Sequence, residues 1–144
     1  IATQDLPFND QTFDLIFFKM VIEHLNIHEI SNCLSEALRV LQPKGKLIVM
    51  TPDWEWDYKY FFEEYTHQTP FTISSLKSAL KMANFNVDFC KQFIQLPIVW
   101  KYPFLKIFID ILSYLYPLAK KNKFIKFCKR RAILAIASKN QKLE

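Results

Sequence analysis

His67 lies in the segment Thr66-His67-Gln68-Thr69-Pro70, among hydroxyl-bearing residues and a proline rather than on a helical stripe. A neutral imidazole in such a loop can take a proton from a hydroxyl or hold that hydroxyl in place, and it can equally be a hydrogen bond that fixes the loop. Both readings stay open; His67 is the candidate catalytic residue. Glu23, His24 and His28 form a second group. Two histidines four apart could share a helix face and ligate a metal. Asn26, however, precedes Glu29 by capping-box spacing, which starts the helix after His24. The reading is therefore a solvated loop and helix start with no metal, in which Glu23 and His24 shape the floor of a substrate pocket. Trp54, Trp56, Tyr58 and Tyr60 suit either a pocket wall or ordinary packing, and Trp54 and Tyr65 are the substrate-binding candidates among the aromatics. Cys33, Cys90 and Cys128 are odd in number and without CxxC spacing, so they predict neither a disulfide framework nor a thiolate zinc site, and a reducing, cytoplasmic setting fits them.

These residues need a scaffold, and the composition provides for one domain: 144 residues, 51% hydrophobic and 16% aromatic. The sole glycine is Gly45, where about ten would be usual, so no glycine-rich phosphate or dinucleotide loop exists here. Charge is divided unevenly. Residues 1–72 carry five Lys/Arg against eleven Asp/Glu, and residues 73–144 carry fourteen against three. An acidic half and a basic tail predict that the tail meets an anionic surface. Ile1 opens the chain without a basic, apolar or cleavage-site leader, so it reads as the continuation of something longer.

The scaffold is legible in the hydrophobic periods. Phe13-Asp14-Leu15-Ile16-Phe17-Phe18 predicts a strand buried on both faces. Ile27, Ile30, Leu34, Leu38 and Leu41 recur at helical intervals until Gln42-Pro43, Gly45 breaks the chain, and Lys46–Met50 predicts a second buried strand. A strand, a helix and a strand in about forty residues make a βαβ unit with parallel strands, whose ligands sit at the carboxyl ends, here Phe18–Met20 and Thr51–Trp54. Thr72 caps a further helix with Leu76, Ala79, Leu80 and Ala83 as its buried stripe, and Asn84 takes the left-handed position after it. Phe85–Phe93 and Ile133–Ala137 predict two more strands.

In order and spacing, Asp5-Leu6-Pro7-Phe8, Phe13-Asp14-Leu15-Ile16, Ile22-Glu23-His24-Leu25, Leu38-Arg39-Val40-Leu41 with Pro43-Lys44-Gly45-Lys46-Leu47, Thr51-Pro52 and Tyr65–Thr72 resemble the C-terminal half of a class I S-adenosylmethionine-dependent methyltransferase of the small-molecule type. The resemblance implies an α/β, Rossmann-like sheet, its C-terminal part only, with residues 1–94 and 132–144 as a partial methyltransferase domain. It implies S-adenosylmethionine as cofactor, with Ala2, Thr3 and Asp5 beside the adenine and Phe18 and Lys19 near the methionine part. It further implies that a glycine-rich turn and a ribose-holding acidic residue belong to a missing N-terminal half, so these residues alone should bind the cofactor weakly. The function expected is methyl transfer to a small or lipid-linked acceptor. The alternative is a non-catalytic membrane-surface or partner-binding domain on the same scaffold.

Residues 95–131 read as an apolar and basic helical insertion before the last strand. On a helix over Trp100–Leu118, Lys106, Asp110 and Ser113 form a narrow polar stripe and the remaining arc is apolar. Its charges argue against a membrane span. Lys120, Lys121, Lys123, Lys126, Lys129, Arg130 and Arg131 follow without an acid, a polybasic run suited to anionic headgroups, so 104–131 is either an interfacial element or a buried lid with a solvated basic face. No regular aromatic interleaving accompanies the basic residues, so nucleic acid is not expected. Oligomeric state is not legible.

Overall fold

The computed structural model describes residues 6–94, 97–115 and 131–139. Four strands form one sheet: β1 (Phe13–Lys19), β2 (Leu41–Pro52), β3 (Phe85–Ile94) and β4 (Arg131–Lys139), in the order β1-β2-β4-β3. β1 runs parallel to β2, while β4 is antiparallel to both β2 and β3. The antiparallel direction brings the first residue of β4 to the end of the sheet where β1 and β2 finish: Pro52 is opposite Ala132.

The connection from β1 to β2 is α1 (Ile27–Val40), whose Asn26 side chain accepts from the His28 and Glu29 amides while Glu29 returns to the Asn26 amide. The predicted capping box is therefore complete. Ile30, Cys33, Leu34 and Ala37 of α1 pack with Leu76 and Leu80 of α3 (Ile73–Met82) on the sheet residues Leu47, Val49, Ile133, Ala135 and Ala137, making one core. Thr72 caps α3 reciprocally with Ser75, and Asn84 holds φ 63° just beyond it, as a helix C-terminus asks of a residue with a short polar side chain. Cys33 and Cys90 are buried free thiols, and burial pushes the Cys33 thiol up to about 11; Cys128 lies outside the described residues.

Three expectations change. β1 is not buried on both faces. It is the edge of the described sheet, with Leu15 55% and Phe17 52% exposed, while Ile16 and Phe18 on the other face pack on the core. β2 begins at Leu41, immediately after the helix, and the irregularity around Gly45 is a register shift between Phe13/Leu41 and Leu15/Lys46 rather than a break. Gly45 is needed there for space: a Cβ would meet Leu41 Cδ2 at 2.8 Å and the Phe13 carbonyl oxygen at 3.1 Å. The helix expected over Trp100–Leu118 is two, α4 (Pro97–Lys101) and α5 (Leu105–Leu115). Pro103 stands between them, and proline disfavours helix at the residue before it and supplies no amide. The long aromatic stretch after β2 folds as α2 (Trp54–Asp57) and a 3-10 turn at Phe61–Glu63.

Candidate active site

At the carboxyl ends of β1 and β2, Met20 turns the chain with φ 53° while its amide bonds the Met50 carbonyl at 2.8 Å. Left-handed backbone at a non-glycine residue costs energy that the surroundings must offset, and its consequence is a 3-10 turn at Ile22–His24 tucked against the sheet. Glu23 is thereby fully buried, which corrects the expectation of a solvated loop. Its Oε2 accepts from the Thr51 hydroxyl at 3.1 Å, whereas Oε1 has no hydrogen-bond partner among the described residues. Burial raises the Glu23 pKa, against weaker lowering by a backbone hydrogen bond and Thr51; desolvation penalises the charged carboxylate.

The segment carrying His67 straps over this turn. The Gln68 and Thr69 amides donate to the Glu23 carbonyl at 2.8 and 3.1 Å, Gln68 Nε2 donates to the His24 carbonyl at 2.9 Å, and the Thr69 hydroxyl donates to the Leu25 carbonyl at 2.6 Å. His67 Nδ1 lies 2.7 Å from the Phe61 carbonyl oxygen. A carbonyl only accepts, so Nδ1 carries the proton. His24 is placed alike. Its Nδ1 is 2.8 Å from the Thr66 hydroxyl, which in turn is 3.2 Å from the Glu64 carboxylate. That carboxylate must accept, so Thr66 donates to Glu64 and receives from His24 Nδ1. The two imidazoles lie 4.7 Å apart between centroids, and His67 also stacks on Phe61 at 4.4 Å.

One nitrogen of His67 thus holds the loop. Glu23, His24 and His67 present ligand atoms within 4.8 Å of one another, the donor set of a divalent-metal site. His24 and His28, whose spacing alone would have allowed a shared metal, are separated by the turn, and His28 is exposed in the first turn of α1.

A cavity of about 280 Å³ opens here, bordered by Met20, Glu23, His24, Pro52, Asp57, Tyr60, Phe61, Glu64, His67 and Arg131. Trp54 stands behind it, its ring edge-on to Phe61 at 5.4 Å, so it supports the wall rather than lining it. Tyr65 does not reach the cavity: it is 90% exposed, because the residues on either side of it turn toward the strap. Phe18 is half-buried against the core and Lys19 is exposed at the end of β1. Ala2, Thr3 and Asp5 lie outside the described residues, as do Lys120, Lys121, Lys123, Lys126, Lys129 and Arg130.

Arg131 departs most from expectation. Read as the last member of a solvated basic run, it is instead the first residue of β4, with its side chain wholly buried and bonded to Asp110 of α5. Asp110, expected on a solvated stripe, is its partner. The available signal was position: the residue entering an antiparallel last strand arrives at the ligand end of the sheet.

A model of the methyltransferase domain matches residues 2–49. Over 45 residues, 31% of this chain, the sequence is 49% identical to an uncharacterized protein of Methanocaldococcus jannaschii, of which it covers 19%. The structure superposes on a SAM-dependent methyltransferase from Methanosarcina mazei with a TM-score of 0.62 at 18% identity, covering 97% of this chain and 65% of that one. The chain has the class I methyltransferase fold. It also matches Haemonchus contortus phosphoethanolamine N-methyltransferase 2, in complex with phosphomonomethylethanolamine and S-adenosylhomocysteine, with a TM-score of 0.55 at 14% identity, covering 93% of this chain and 35% of that one. The methyltransferase fold puts the buried Glu23 and the two imidazoles at the ligand end of its sheet. The chain spans about a fifth of the curated relative it matches, 19%. Among the described residues, no helix is long and apolar enough to cross a membrane.

Proposed function

We propose that this chain forms the acceptor-binding and proton-handling part of an S-adenosylmethionine-dependent methyltransferase acting on a small or lipid-linked acceptor. The observation that carries the proposal is the meeting of Glu23, His24 and His67 in one cavity at the carboxyl ends of β1 and β2. The cavity volume of about 280 Å³ is at the small end of ligand pockets, a size for the reacting part of an acceptor rather than for a whole nucleoside cofactor. The cofactor would lie beside it, along the end of β1, held by Phe18 and Lys19 together with Ala2, Thr3 and Asp5. When bound, S-adenosylmethionine supplies an electrophilic methyl group on sulfur. His67 Nε2 accepts the proton that the acceptor heteroatom loses as its bond to carbon forms and the carbon–sulfur bond breaks. Glu23, kept toward its neutral form by burial, orients the acceptor without adding a full charge. Much of the rate would come from alignment.

The test is calorimetric titration of S-adenosylmethionine and S-adenosylhomocysteine into this chain and into a longer form extended through the natural N-terminus. Binding by the extended form, with methyl transfer reduced by His67→Ala, supports the reading. Binding by neither folded form moves it to the non-catalytic scaffold domain.

A membrane-surface role has its own support. Trp100, Phe104, Ile107, Phe108 and Ile111 of the α4–α5 region are exposed, with Lys101 and Lys106 among them, the composition of an interfacial element. Binding to vesicles of anionic lipid that falls with salt and is absent for neutral lipid supports it; equal binding to both rejects it.

A further inference from the structure

Arg131 borders the cavity but has no part in the proton chemistry. Its side chain is 0% exposed, and Nη2 donates to the Asp110 carboxylate, which is itself 40% exposed. The guanidinium lies over the Trp56 ring, with Cζ 5.1 Å from the centroid. Nε and Nη1 are buried and, among the described residues, have no hydrogen-bond partner.

This is a costly arrangement. Arginine does not escape burial by losing its proton, and unpaired donors on a charged group cost more than those on a neutral one. One face of the guanidinium is covered by Trp56 and one edge is taken by Asp110, which leaves Nε and Nη1 to be completed by an oxygen acceptor. The cavity is polarised by its construction. The turn after β1 and the strap bring imidazoles and carboxylates, Glu23, His24, Glu64 and His67, and α2 brings Asp57, whereas β4 brings a guanidinium. A ligand that satisfies both sides presents a proton-bearing heteroatom to the first and an anionic oxygen to the second.

We propose that Arg131 is the anion-recognition residue of the acceptor site, and that the acceptor carries a carboxylate or phosphate oxygen. This rests on reading the cavity as the acceptor pocket; the anion site itself does not depend on the cofactor. Sodium acetate and inorganic phosphate are titrated separately into the full chain at neutral pH and constant ionic strength, following tryptophan emission and the Nε–H resonance of Arg131. Saturation by acetate alone identifies a carboxylate, saturation by phosphate alone identifies a phosphate, and in either case Arg131→Gln weakens binding by about tenfold or more. Lys81→Gln, exposed on α3, leaves it unchanged. Asp110→Asn removes the competing carboxylate while keeping Arg131, and binding then tightens by about threefold or more. Saturation by neither anion overturns the proposal, as does equal binding by Arg131→Gln or, where that variant fails to fold, unchanged affinity in Asp110→Asn. Anion binding without cofactor binding by the extended protein would keep this site and remove the methyl-transfer reading. Cofactor binding without anion binding would do the reverse.

Discussion

The two ends of the sheet handle charge in opposite ways. At the end where β2 and β4 carry Lys46 and Ser138, Lys46 pairs with Asp88 at 2.8 Å, and Asp88 also accepts from Asn86 and the Ser138 hydroxyl. Nearby on α1, Arg39 bonds Glu36, Asp10 and the carbonyls of Leu6 and Phe8, and its hydrogen bond holds Glu36 down to about 2. These groups are accessible to water, and each of them has partners. At the other end Glu23 and Arg131 are fully buried, yet among the described residues each keeps atoms without a hydrogen bond. Solvent softens an unmet bond at the first end more than at buried atoms of the second. Polar groups that serve only the fold are paired in solvent, and the incomplete ones are gathered where a ligand enters; a stability cost concentrated at one end is the mark of a site rather than of a scaffold.

Substitutions can break or sharpen that contrast. The largest effect belongs to the ligand end. His67→Ala in the extended enzyme should lower the rate of methyl transfer by about 10²-fold or more if Nε2 takes the proton. A loss of only a few-fold, with the melting temperature lowered, would leave His67 as the loop's hydrogen bond. The sheet between the two ends sets the scale for stability. Leu47→Ala, fully buried, should cost about 2–5 kcal/mol in urea unfolding.

Glu23→Gln tests the burial cost directly. Because burial raises the folded-state pKa of Glu23 above its ordinary value near 4.5, its stabilising contribution is complete below that value. It is lost as the pH rises through the folded pKa. Unfolding free energies from urea titrations between pH 4 and pH 8 should therefore fall for the wild type relative to Glu23→Gln as the pH rises. A difference that does not change with pH would mean that Glu23 is not destabilised by its burial. The smallest effect lies at the opposite end. Lys46→Ala should change stability by about 0.2–1 kcal/mol at low salt, and less at high salt, since the pair is exposed. A larger, salt-insensitive loss would show that the paired end is as tightly coupled as the cavity.

Local sequence determined the elements. Asn26 with Glu29, and Thr72 with Ser75, are short-range hydrogen-bonding patterns that need only their own turn to form. The apolar period of α1 fixes which face meets the sheet, and β1 and β2 were legible as short apolar runs bounded by turn residues. The motifs from Asp5 to Thr72 pointed to the fold: those up to Leu47 fall within the matched methyltransferase domain, and the structure superposes on methyltransferases. His67 and Glu23 could be singled out by residue type, and the cavity's general place by the rule for parallel strands.

Tertiary structure decided the rest. Sequence proximity joined His24 with His28, but the strap joined His24 with His67 across 43 positions, through bonds from Gln68 and Thr69 that no local pattern announces. Tyr65 looked like pocket material and faces solvent, since a half-buried loop does not impose a period that tells inside from outside. Arg131 looked like one of seven solvated cations. Strand direction alone made it the buried one: composition gives each residue its charge, but only the register of β4 against β2 determines which charge enters the cavity.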